Sequence, residues 1–113
     1  MKDEQFDRWL QLRASLKEAK KKKDYLEIIN AAENIIQLDK VAKHIRIMTP
    51  IFYKEIGEAY YKLGNIERSY IFLQQSITGF KDYRLTHQLN KPDDWIKEIT
   101  VLTRKVMKIE KKI

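Results

Sequence analysis

The side chains in this chain that could act on other molecules are overwhelmingly cationic. Lys and Arg number 23 against 16 Asp and Glu, a formal net charge of +7. Such an excess draws acidic partners (acidic proteins, nucleic acid or an anionic membrane surface), and it also serves plain solubility. Covalent and metal chemistry has less to work with. There is no cysteine, hence no disulfide framework, thiolate metal site or cysteine nucleophile. The two histidines, His44 and His87, stand alone and form no H-E-x-x-H pair. No glycine-rich phosphate loop or G-x-S-x-G turn occurs, and no Asp or Glu is singled out as a general base. The chain therefore reads as a binding protein rather than an enzyme, with no cofactor and no metal.

Two lysine clusters could meet phosphate: Lys20 to Lys23, and Lys105, Lys108, Lys111 and Lys112. Both fall at expected helix C-termini, where cations offset the helix dipole. No recognised nucleic-acid motif accompanies them, so a nucleic-acid-associated basic helical protein stands as the alternative to a protein-binding one. That alternative predicts an affinity falling steeply with salt. The first ten residues, MKDEQFDRWL, are charged and unlike a signal peptide, and no apolar run approaches the ~20 residues of a membrane span. A soluble, cytoplasmic protein that does not engage a membrane is the expectation.

These side chains must be positioned by helices. Only three glycines and two prolines punctuate the chain, and no stretch alternates long enough to be a strand. With 43% hydrophobic residues, a single domain over 1–113 can pack its own core. Five helices are predicted. The first spans about 3–22, with Phe6, Trp9, Leu12, Leu16 and Ala19 on one broad face. Asp24 is a plausible N-cap for the second, 25–46. Thr49-Pro50 reads as an N-cap followed by proline in the first turn of the third, 50–63. Gly64-Asn65 ends that helix and opens the fourth, 66–81 or longer. After Asn90-Lys91-Pro92, Asp93 and Asp94 fall in the first turn of the fifth, 93–111.

The helices repeat. An offset of 41 lays Lys23-Asp24-Tyr25 on Gly64-Asn65-Ile66, and an offset of 42 lays Tyr53, Gly57 and Tyr60 on Trp95, Ile99 and Leu102. This gives two and a half copies of a helix pair, A then B, as in stacked helical arrays. The middle copy, Tyr53-x-x-Ile56-Gly57-x-x-Tyr60-x-x-x-Gly64-Asn65-x-x-x-Ser69-x-x-x-Leu73-x-x-Ser76, resembles the tetratricopeptide repeat. Gly57 would permit close helix approach, Tyr60 would fill the gap and Gly64 would make the turn. Ser69 and Ser76 replace the family's alanines. The period of 41 to 42 residues departs from the family's common 34, and the extra seven equal about two helical turns.

The resemblance implies an all-α, tetratricopeptide-like α-α superhelix of about five helices, with ligands along the concave surface formed by the A helices. By position this selects Leu10, Arg13, Lys17, Lys20 and Lys21, then Ile51, Lys54, Glu58, Tyr61 and Lys62, then Asp93, Ile96, Thr100, Thr103 and Arg104. Seven of these are basic and two acidic. The strongest candidates for binding an acidic peptide, or a peptide's C-terminal carboxylate, are Arg13, Lys17, Lys54, Glu58, Tyr61, Lys62 and Arg104. A merely solvated basic face is the competing explanation. Glu58 stands where chaperone-binding members have asparagine, so their carboxylate clamp is not implied. In the last helix, Trp95, Ile99, Leu102, Val106, Ile109 and Ile113 fall within about 40° of one line at ~100° per residue. That stripe suits a final covering helix or a coiled-coil seam. Ile96, Val101 and Met107 lie off it and are candidates for self-association as a homodimer.

Overall fold

The computed structural model describes residues 3–113. Five α-helices make up its regular structure: α1 (Glu4–Lys22), α2 (Tyr25–Val41), α3 (Thr49–Lys62), α4 (Ile66–Thr86) and α5 (Ile96–Glu110). The fold is all-α. No helix among the described residues is long and apolar enough to cross a membrane.

The turns that join α1 to α2 and α3 to α4 are built alike. Lys23 (φ 55°) and Gly64 (φ 84°) both take the left-handed conformation. The next amide in each case reaches back five residues, Asp24 N to the Ala19 carbonyl and Asn65 N to the Tyr60 carbonyl, both at 2.9 Å. These bonds satisfy carbonyls that the helix end would otherwise leave open. The same Asp24 and Asn65 then cap the following helices, accepting from Glu27 N at 3.2 Å and Arg68 N at 3.1 Å. Every pair of equivalent groups is separated by the offset of 41 that the sequence contains.

Small residues let α3 and α4 close into an antiparallel hairpin. A Cβ on Gly57 would sit 2.7 Å from Leu73 Cγ and Cδ2, and one on Gly79 2.7 Å from Pro50 Cγ. Ser69 Oγ donates to the Gly57 carbonyl at 2.7 Å, and Ser76 Oγ to the Pro50 carbonyl at 2.6 Å. Both serines are fully buried, so these bonds spare two hydroxyls the cost of unpaired desolvation. Phe72 lies stacked between Tyr53 and Tyr60, at centroid distances of 6.2 and 5.6 Å.

Three helix ends differ from the expectation. The second helix stops at Val41, not near residue 46. Residues 42–48 instead cross to α3 in a segment that buries Ile45 and Ile47 and exposes Arg46 between them. That two-residue alternation belongs to extended chain, and the gain from burying both isoleucines outweighs further helix. Thr49 is helical rather than the cap: Met48 takes that position without a side-chain hydrogen bond. The fifth helix begins at Ile96, so Asp93 and Asp94 precede it. Asp94 Oδ2 accepts from Lys91 N at 3.0 Å, and Trp95 takes a left-handed φ of 70°, stacked on Phe80 at 5.1 Å. Competition for Asp94 by that turn delays the helix.

Backbones make contact only between helices consecutive in the chain, so α1 and α5 do not meet and the stack is open. Side chains bridge alternate helices. Trp9 of α1 meets Phe52 of α3 edge-on at 5.8 Å, and Lys20 meets Glu55 at 2.8 Å. From α3 to α5, Lys54 meets Glu98 at 3.1 Å and Glu58 meets Lys105 at 3.3 Å. Residue numbers rise together in each set, so across these contacts α1 and α3, and α3 and α5, run in the same sense. The core is continuous across α1, α2 and α3, and a second cluster joins α4 to α5 around Leu73, Phe80, Leu102 and Val106.

Candidate interaction surface

Leu12, Leu16 and Ala19 face the core, and at ~100° per residue this swings Arg13, Lys17 and Lys20 toward α3. Together with α3 they form an open groove of about 760 Å³. Its walls carry Arg13, Lys17, Lys20, Lys21 and Arg46, and its floor is Trp9, Met48, Ile51 and Phe52. Glu55 is the one acidic residue among the described residues that line it, and it is already engaged by Lys20 at 2.8 Å. The Arg13 guanidinium lies 5.2 Å from the Trp9 ring centroid, a cation–π contact that holds the arginine over the groove. Apolar floor and cationic walls together suit a ligand that is both hydrophobic and acidic.

A second, smaller groove of about 300 Å³ lies between α3 and α5. Glu58, Tyr61, Lys62, Lys105 and Lys108 line it over the apolar Leu73 and Ile109. Lys112 Nζ donates to the Tyr61 hydroxyl at 2.7 Å and lies 5.1 Å from its ring centroid. The hydrogen bond from Lys112, aided by the charges of Lys112, Lys62 and Lys108, holds the Tyr61 hydroxyl below its ordinary pKa.

The seven strongest sequence candidates thus do not form one site. Arg13 and Lys17 line the first groove, and Glu58, Tyr61 and Lys62 the second. Lys54 lies on α3 facing α5, bound to Glu98. Burial would lower the Lys54 pKa, but the Glu98 hydrogen bond and the charges of Glu58, Glu98 and Glu55 outweigh it and raise it. Arg104 is exposed and lines neither groove. Ile96, Val101 and Met107 are all exposed. At ~100° per residue Ile96 and Met107 share one face of α5, and Val101 lies well round the helix from both.

Trp9, Arg46, Met48, Phe52 and Glu55 belong to the first groove but were not among the sequence candidates. Arg46 and Met48 were hidden by the assumption that α2 continues to residue 46. The signal for them is the Ile45, Ile47 alternation, which marks an extended segment and turns Arg46 outward. His44 Nε2 lies 2.9 Å from Asp3 Oδ2, and the His87 ring stacks on Tyr83 at 4.1 Å, so each is occupied with its neighbours. The Asp3 carboxyl, which accepts from Phe6 N as the cap of α1 and also faces His44, is held below its ordinary pKa. Compared with protein-family models, curated proteins and solved structures, the chain matches none of them.

Proposed function

We propose that this protein is a non-enzymatic interaction module: a tetratricopeptide-like stack of helical hairpins whose α1–α3 groove captures an acidic segment bearing apolar side chains. The observation that carries this reading is the pairing of five cationic side chains with the Trp9, Met48, Ile51 and Phe52 floor in one groove. Charge complementarity would set the rate of encounter and the choice of partner, and burial of apolar side chains on the floor would supply most of the affinity. The repeat reading is supported by the two turns matched at an offset of 41 and by the side-chain contacts that bridge α1 to α3 and α3 to α5.

The test is affinity purification from the native host with the wild-type chain and the Arg13→Glu/Lys17→Glu variant, read by mass spectrometry. Lys43→Glu/Lys81→Glu, an equal charge change at exposed positions outside the groove, is the control. Partners retained by the control and lost from the groove variant support the proposal. Unchanged recovery on the groove variant sinks it.

A further inference from the structure

We propose that the groove between α3 and α5 is a separate binding site for a phosphate monoester carried on an apolar or aromatic body. The groove presents Lys62, Lys105 and Lys108, with Lys112 at its rim, against the single carboxylate of Glu58. That carboxylate is itself bonded to Lys105 at 3.3 Å. Among the described residues, neither Lys62 nor Lys108 has an ion-pair partner. A carboxylate ligand, with one charge, would leave this convergence uncompensated, whereas a phosphate monoester brings about −1.5 to −2 at neutral pH.

The size and donor set agree. About 300 Å³ is at the small end of ligand pockets, a volume suited to a small head group. Ammonium groups bind phosphate as compact point charges, so the preference over a carboxylate rests on the ligand's greater charge. Tyr61 adds a directed donor. Its hydroxyl already accepts from Lys112 at 2.7 Å, so its own proton is free to go to a phosphate oxygen. Lys112, Lys62 and Lys108 gather positive charge around that hydroxyl. Leu73 and Ile109 close the groove from beneath but are nearly fully buried, so the ring of the half-exposed Tyr61 is the apolar surface it offers to the body of the ligand.

Phenyl phosphate is the probe, titrated into the full chain while backbone amide resonances are followed by NMR. Saturable shifts centred on Tyr61, Lys62 and Lys108 are expected, with benzoate binding at least about tenfold more weakly. Lys62→Ala/Lys108→Ala weakens phenyl phosphate by about tenfold or more, and Glu58→Gln tightens it by removing the opposing charge. Arg13→Glu/Lys17→Glu leaves it unchanged, which separates this site from the α1–α3 groove. A short peptide bearing phosphotyrosine binds more tightly than phenyl phosphate if the natural ligand is a modified protein, and equally if it is a small molecule. Absence of saturation at Tyr61 and Lys108, equal binding of benzoate, or indifference to the Lys62/Lys108 variant overturns the proposal.

Discussion

Gly57 has no room for a side chain. The nearest atoms to an added Cβ are Leu73 Cγ and Cδ2, and Leu73 N follows at 3.1 Å, so relief would require the α4 backbone to move as well as a side chain. Alanine favours a helix over glycine by about 1 kcal/mol, but overpacking a filled core costs about 1–3 kcal/mol. Gly57→Ala should therefore destabilise the protein by up to about 2 kcal/mol, measured by urea unfolding. Stabilisation would mean that the close contact of α3 and α4 is not maintained in solution. Gly64 differs in kind: nothing lies within 4 Å, and glycine is favoured there by its φ of 84°. Both roles were legible from sequence: Gly64-Asn65 is a helix-ending signal, and the role of Gly57 is what the resemblance to the tetratricopeptide repeat implies. The serine bonds to the Gly57 and Pro50 carbonyls were not, because substitution for alanine says nothing of where a hydroxyl points.

Helices α3 and α5 touch through side chains alone, and Lys54–Glu98 is one of the pairs that join them. The raised Lys54 pKa fixes the sign of its pH dependence. A cation whose pKa rises on folding adds stability that is fully present below the ordinary 10.5 and lost as pH climbs through the folded value. The difference in thermal midpoint between wild type and Lys54→Met should be constant from neutral pH to about 10 and shrink above it. The corresponding difference in stability should stay below about 1 kcal/mol, because Glu98 remains partly in water. A difference that grows with alkalinity would contradict the pairing. Element existence was readable because turn residues and caps are local signals: Asp24, Pro50, Gly64 and Asn65 each marked a true boundary region. The end of α2 and the start of α5 were not. Ile45 and Ile47 are drawn into a tertiary core, and Trp95 adopts a left-handed φ that its residue type does not favour.

At the scale of the whole molecule, an open stack of helices leaves side chains of α1, α3 and α5 facing solvent, and the two grooves between these helices are the proposed binding sites. Sequence position assigned Arg13, Lys17, Lys20 and Lys21 to that surface. It could not divide the surface into two grooves, because the division depends on how far apart α1, α3 and α5 are held. Of the first groove's floor it picked out Ile51 alone: Trp9 read as part of the apolar face of the first helix, and Met48 and Phe52 were assigned no role. The most direct measurement of the central claim is selection of random displayed peptides on the immobilised chain, repeated on Arg13→Glu/Lys17→Glu. Peptides that combine Asp or Glu with large apolar residues should be enriched on the wild type, and that enrichment should disappear on the variant. Enrichment of basic or uncharged sequences, or the same acidic peptides emerging from both selections, would contradict it.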